Sequence, residues 1–310
     1  MTIVRSNPDP LPNKVKETIR AIEEQRQSCL FLLISDEPID RSLVNLIDKL
    51  CRQTIAEVSK IDILIQSSGG DINATYQLVN LFRDYKVVVN ALVPGYAKSA
   101  ATFFCLGAQE ILMGRGAELG PLDARIPDPR EPGQFISALD EFKALEFLRE
   151  YALETLDLTI LMILRRSHLR VNAAISEAVK LVSVIITPLY QQVDPINFGE
   201  SKRLLEIGEE YGRRVMSRYP QPSEHSGSEE ERINRILNKL IWGYPSHGFV
   251  IDYKEGQQLG LNVKLMDADL ENLCQVVVDS VEECIGFMPQ QAGNTEKPRT
   301  TSRRRKGDRT

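Results

Sequence analysis

Three short segments of this chain carry residue types that chemistry could use. The first, Ile61-Asp-Ile-Leu-Ile-Gln-Ser-Ser-Gly-Gly-Asp-Ile-Asn73, is an apolar run leading into Gly69-Gly70 at the start of a helix. Paired glycines let backbone come close to a ligand, and a helix N-terminus offers unpaired N–H groups to negative charge. An ordinary tight turn uses the same two glycines. The second, Pro94-Gly-Tyr-Ala-Lys-Ser-Ala-Ala101, turns after a strand and stands Ser99 at the start of an apolar helix. Backbone amides and the helix dipole favour a nearby anion there. Taken alone, a serine in that place reads first as a helix N-cap. The third, Gly120-Pro-Leu-Asp-Ala-Arg125, follows a short strand; alone it is a proline turn with a solvated aspartate.

The elements that must position these residues follow from hydrophobic spacing. Cys29 to Ser35 is a continuous apolar run, as expected of a strand buried on both faces, and Ile61 to Gln66 reads as a second buried strand. Lys86 to Val93 and Glu110 to Met113 read as two more strands. Between them lie helical patterns at Ile39 to Glu57, Asn73 to Tyr85 and Ser99 to Gly107, with another at Asn13 to Gln27 ahead of the first strand. This alternation, which runs to about Arg125, argues for an α/β domain with mainly parallel crossovers. Ile126 to Gln134 reads as a loop rich in proline and charge. Phe135 to about Leu189 reads as helical with a break near Ser167 to Val171, and Ser201 to Arg218 and Glu229 to Trp242 as helices, the last two separated by a polar loop. Gly248 to Ile251 reads as a short strand, Tyr253 to Leu259 as a helix ended by Gly260, and Asp269 to Ile285 as the last helix. The expected organisation is an N-terminal arm and helix (1–28), one domain over 29–288 with a helical insertion at about 135–242, and a disordered basic tail (289–310).

Composition narrows the function classes. The 310 residues carry a formal net charge of -5, so the chain as a whole is no generic nucleic-acid binder. The arginines and lysine after residue 298 run against that balance. The tail reads as a solvated end, with nucleic acid, anionic lipid or an acidic partner as alternatives. Five scattered cysteines without a C-x-x-C pair argue against a disulfide framework or zinc site and for a reducing cytosol. Three histidines offer no metal cluster, and no G-x-x-x-x-G-K-[ST] is present, so no cofactor is expected and any unfoldase would be a separate protein. The polar, proline-rich N-terminus lacks a signal-peptide core, and no transmembrane segment is expected. The most apolar later stretch, Leu156 to Leu164, reads as a buried helix.

The combination of segments is more specific than its parts. Gly-Gly after one strand, a small-residue serine turn after the next and a Gly-Pro-Leu-Asp loop beyond resemble the Clp/crotonase superfamily. The nearest resemblance is to the serine dehydrogenase proteinase (SDH) family, with Clp protease proteolytic subunits and signal peptide peptidase A more distant. The resemblance covers roughly Cys29 to Arg125 and returns at Tyr244 to Leu261, where Gly256 stands in place of the usual alanine. The intervening region matches only as helix. The implied fold is a repeated β-β-α superhelix of mainly parallel strands with an added helical region.

The resemblance also implies roles. Ser99 is the nucleophile of a serine peptidase, with an oxyanion hole at Gly70 (or Gly69) and Ala100, where small residues leave room for the oxyanion. Asp123 and His247 best match the family's Ser, Asp and His order, with His247 as base and Asp123 as its orienting carboxylate. A lysine base is the competing chemistry, as in signal peptide peptidase relatives. Lys143, with Phe142, Leu145 and Phe147 nearby, is the candidate and would have to be desolvated. His168 and His225 are weaker, and Lys98 reads as a surface or substrate-side charge. The implied partners are a polypeptide substrate and further copies of the chain, as a trimer, hexamer or ring. The helical region from Phe135 onward offers surface for that packing. A crotonase-like acyl-thioester enzyme and a non-catalytic partner-binding relative remain as alternatives. Membrane helices of archaeal relatives have no counterpart in the N-terminal region, so membrane roles are not carried over.

Overall fold

A computed structural model describes residues 3–5, 11–54, 58–128, 131, 135–218, 228–281 and 283–287. The basic tail and His225 lie outside the described residues. The central sheet has the order β1-β11-β2-β3-β4-β6-β10: Ile3–Arg5, Cys284–Phe287, Cys29–Ser35, Lys60–Ser67, Val88–Val93, Ile111–Met113 and Val263–Leu265. From β2 to β10 all pairings are parallel, while β11 runs antiparallel to both β1 and β2. Two very short strands, β5 (Tyr96–Ala97) and β7 (Glu118–Leu119), leave this path; β5 pairs with the end of β3 and with β7. Strands β4 and β5 with helix α4 (Ala100–Leu106) thus form one β-β-α unit of the expected superhelix.

The apolar strands serve two cores because successive side chains face opposite ways. Phe31, Leu33, Ile61, Ile63 and Ile65 enter the larger core, which α2 (Arg41–Thr54), α3 (Ile72–Asp84) and α4 cover. Leu30, Leu32, Ile34 and Leu64 face the smaller core under α1 (Asn13–Arg26) and α10 (Ala268–Asp279). At about 25 cal/mol per Å² of apolar area removed from water, this double-sided burial is the main force holding the sheet. One charge sits within it: Asp62, fully buried, accepts from Arg26 Nε at 2.6 Å and Asn90 Nδ2 at 2.7 Å, which offsets its desolvation.

Several expectations change. Helix α10 stops at Asp279 and its C-cap Ser280, and Cys284–Phe287 is a strand buried along its whole length rather than the end of the helix. Phe135–Ser137 is β9, paired with β8 (Arg125–Pro127), where the sequence suggested loop and then helix. Of Gly248 to Ile251 only Ile251 pairs, in a single bridge to Leu119. The helical region is not one unit. Helix α7 (Pro195–Met216), which starts earlier than expected on its Asp194 cap, and α8 (Glu229–Trp242) bring Leu205, Val215, Ile236, Leu237 and Leu240 into the larger core. Helices α5 (Ala138–Arg166) and α6 (Val171–Tyr190) form a hairpin that leaves it. Leu156 to Leu164 is therefore not a buried helix: Leu158 is 62% exposed and Leu161 52%. Its apolar residues belong to a projecting arm, where α6 covers only one side. Helix α6 is also long and apolar enough to cross a membrane by length and composition, which the sequence reading did not register.

Candidate active site

A row of backbone pairs gathers the candidate residues. Ser67 at the end of β3 pairs with Ala97, Ala97 with Leu119, and Leu119 with Ile251. The last link is two hydrogen bonds, Leu119 N to Ile251 O at 2.9 Å and the reverse at 3.1 Å. Gly69 and Gly70 follow Ser67, Ser99 follows Ala97, Asp123 follows Leu119 and His247 precedes Ile251, each by a few residues. The short strands that sequence periodicity could not resolve are what bring the chemistry together.

Ser99 occupies the N-cap position of α4, but its side chain makes no capping hydrogen bond, so the cap reading does not hold. Its backbone is at φ 51°, ψ -119°, a conformation sparsely populated by L residues that costs about 1–3 kcal/mol. The surroundings hold it there. Lys98 N donates to Ser67 O at 3.0 Å, Ala101 N to Lys98 O at 2.9 Å, and Thr102 Oγ1 to Ala97 O at 2.5 Å. Gly120 N in turn donates to Thr102 Oγ1 at 2.9 Å, fastening the aspartate loop to the serine turn.

The glycines are required sterically. Gly69 has φ +103°, and a Cβ there would lie 2.6 Å from Lys98 O, 2.9 Å from Ala100 N and 3.0 Å from Ser99 Cβ. A Cβ on Gly70, at φ +155°, would meet Ile39 N at 2.3 Å. The Gly69 N–H already donates to Ser67 Oγ at 3.2 Å. Ile39 N to Gly69 O and Asp71 N to Ile39 O, both 2.8 Å, fix the glycine turn without using the Gly70 N–H. Ala101 N to Lys98 O and Phe103 N to Ser99 O likewise leave the Ala100 N–H out of the start of α4. Among the described residues, the Gly70 and Ala100 N–H groups thus take no part in the hydrogen bonds that fix the two turns.

Asp123 and His247 are in contact. Asp123 is 1% exposed, and its Oδ1 lies 3.1 Å from His247 Nδ1. Its Oδ2 accepts a hydrogen bond from the Ser137 hydroxyl, which also accepts from Leu139 N at 3.0 Å as the N-cap of α5. Ser137 was not singled out from the sequence; a serine three residues ahead of Asp140 would have marked only a cap. The His247 loop is anchored by Tyr244, also unforeseen. Its buried ring packs on Phe249, with centroids 4.6 Å apart, and its hydroxyl donates to Glu255 Oε1 at 2.7 Å. Burial and that carboxylate push the Tyr244 phenol up, so it stays a neutral donor. Among the described residues, no hydrogen bond joins Ser99 Oγ to His247.

The other candidates are placed elsewhere. Lys143 Nζ donates to Tyr244 O at 3.3 Å, so its contact in the structure is with the backbone of the His247 loop. Lys98 pairs with Glu118 at 2.9 Å and donates to Leu119 O at 3.2 Å. His168 is exposed in the turn between α5 and α6. Gly256, the departure from the family pattern, is buried in α9 (Tyr253–Leu259), where a Cβ would come 3.1 Å from Val263 Cγ2.

Comparison with known proteins agrees with the resemblance. Residues 11–144 match the family of ClpP-like SDH-type serine proteinases. Two curated relatives, uncharacterized proteins MJ1495 and MJ0137 of Methanocaldococcus jannaschii, are each 33% identical over 66 residues, covering 21% of this chain and 23% of the relative. Among solved structures, a point mutant of ClpP1 from Listeria monocytogenes aligns at TM-score 0.40 and 13% identity, over 81% of this chain and 99% of that one. A serine-to-alanine mutant of the 1510-N membrane-bound stomatin-specific protease aligns at TM-score 0.30 and 18% identity, over 48% and 68%. Structural likeness at those scores carries no functional inference.

Proposed function

We propose, from the match of residues 11–144 to the ClpP-like SDH-type serine proteinases, that this protein is a serine endopeptidase working through an acyl-enzyme on Ser99. The observation that carries the reading is the buried Asp123 carboxylate on His247 Nδ1, tethered beside a serine turn whose strain has no capping purpose. With Nδ1–H held by Asp123, the imidazole presents Nε2 as its basic nitrogen. Nε2 takes the Ser99 proton as Oγ bonds to the scissile carbonyl carbon. The carbonyl oxygen becomes an oxyanion, which the Gly70 and Ala100 N–H groups stabilise. The C–N bond then breaks, and Nε2 returns the proton to the leaving amine. Water attacks the acyl ester by the same route and restores Ser99. The Ser99–Nε2 contact is made in the substrate complex, as catalytic hydrogen bonds often tighten only there.

His247 lies beyond the matched region, so the geometry supports its role independently. Lys143 in this account is a positioning residue, holding the His247 loop through Tyr244 O. The substrate is polypeptide, and the chain acts as a homo-oligomer in the cytoplasm, both in keeping with the family resemblance. Hydrolysis of an unstructured protein such as casein, by wild type and by Ser99→Ala, tests the reading. Turnover confined to the wild type supports it, and equal turnover removes Ser99 as nucleophile.

A further inference from the structure

The α5–α6 hairpin presents a surface that the peptidase chemistry does not use. Helix α5 has 29 residues, a length of roughly 43 Å, and only Ala138 and Leu139 at its base are buried. Helix α6 buries a seam of Ala174, Ala178, Val182 and Ile186 against α5 and leaves most of its other apolar residues in solvent. Beside that seam lies an open apolar cleft of about 480 Å³, lined among others by Leu153, Leu156, Val179 and Tyr190. Contiguous exposed apolar surface of this kind marks an interaction site more often than single scattered residues do.

Charge identifies the occupant at the far end. From Leu158 to Ser176 there is no Asp or Glu, while Arg165, Arg166 and Arg170 cluster at the turn. All three are exposed, and none has an ion-pair partner among the described residues. Exposed Leu161, Met162, Leu169, Val171 and Ile175 surround them. The acids of α5 (Asp140, Glu141, Glu146, Glu150, Glu154, Asp157) all precede Leu158, so its last turns toward the tip carry none. A protein of net charge -5 therefore holds out a tip that is both basic and apolar. Apolar side chains that enter the headgroup boundary, beside arginines that pair with lipid phosphate, are the chemistry of an anionic membrane surface. Two tips meeting about a two-fold axis would set arginines against arginines.

We infer that the α5–α6 tip docks the protein on the surface of an anionic lipid bilayer. Only the tip is engaged, with the arginines at headgroup level. The proximal apolar surface stays available for contact between copies. The inference does not depend on the peptidase reading, and the Ser99→Ala protein binds membranes as the wild type does.

The test is cosedimentation of the full chain with phosphatidylcholine vesicles, with and without phosphatidylglycerol. Binding is expected to the anionic vesicles alone and to weaken as salt is raised. The triple variant Arg165→Glu, Arg166→Glu, Arg170→Glu is expected to lose affinity on the order of 100-fold, about fivefold per arginine. Leu169→Asp is expected to weaken binding with an unchanged melting temperature, since Leu169 is 45% exposed. Equal binding to neutral vesicles, or no binding, overturns the inference, as does undiminished binding by the triple variant. Binding that resists high salt and alkaline carbonate also overturns it, because that is the behaviour of an inserted α6. A wild-type oligomer that Leu169→Asp dissociates, with no vesicle binding, assigns the tip to a second copy and likewise overturns it.

Discussion

Asp123 Oδ1 stands 3.1 Å from His247 Nδ1, although 124 positions separate the two residues. The Leu119–Ile251 bridge, with Leu122 N donating to Leu240 O at 2.9 Å, joins the two segments that carry them. Asp123→Asn keeps the size of the side chain but places an amide against the imidazole, favouring the wrong tautomer. It is expected to lower kcat by about 10³–10⁴-fold with little change in KM. Steady-state kinetics on a fluorogenic peptide checks this.

Ser137 is a positioning residue. Its hydroxyl donates to Asp123 and caps α5. Ser137→Ala is expected to cost about 1 kcal/mol of stability from the lost cap. It also frees the Asp123 carboxylate to turn away from His247 Nδ1, so kcat is expected to fall while KM stays the same. Ser137→Thr is expected to restore both stability and kcat. A loss of stability with an unchanged kcat would assign Ser137 to the fold alone.

Gly69→Ala is expected to abolish labelling at Ser99 and to cost about 1–3 kcal/mol. Its Cβ would collide with Lys98 O at 2.6 Å, and its φ of +103° suits no L side chain. Thermal melting and intact-mass labelling of the variant report the two effects separately.

Lys143→Met distinguishes the two bases. With His247 as base, removing the Lys143–Tyr244 O bond is expected to lower kcat by no more than about tenfold, the scale of one modest hydrogen bond. Loss of all turnover with His247 still in place would assign the proton transfer to the lysine.

The cysteines are expected to be silent in the native protein. Burial pushes the thiols of Cys29, Cys51, Cys105 and Cys274 up to about 12, so at pH 8 they stay protonated. Cys284 is fully buried in β11. A disulfide reagent such as DTNB should titrate none of the five rapidly before denaturation and all five after.

Much of this was legible in the sequence because it is local. Cys29 to Ser35 declares a buried strand by unbroken apolar character, and Ile61 to Gln66 reads as another despite its Asp62. Ser99 and the Gly69-Gly70 pair stood out by type and position. What was not legible depends on pairing over distance. Strands of two residues, β5 and β7, have no period to read, and they set the site's geometry. Cys284 and Ile285 read as the end of the last helix because so short a segment carries no sign of its own; its place between β1 and β2 makes Cys284–Phe287 a strand. The same blindness let Leu156 to Leu164 pass as core, since apolar spacing reports a face to be covered but not what covers it.

The central claim is an activated serine at position 99 served by His247. Intact-mass labelling with a fluorophosphonate tests it most directly, on wild type, Ser99→Ala and His247→Ala side by side. The account predicts one adduct on wild type, none on Ser99→Ala, and labelling slowed by at least about 10³-fold on His247→Ala. An adduct that persists in Ser99→Ala, or a His247→Ala protein that labels at the wild-type rate, would contradict it.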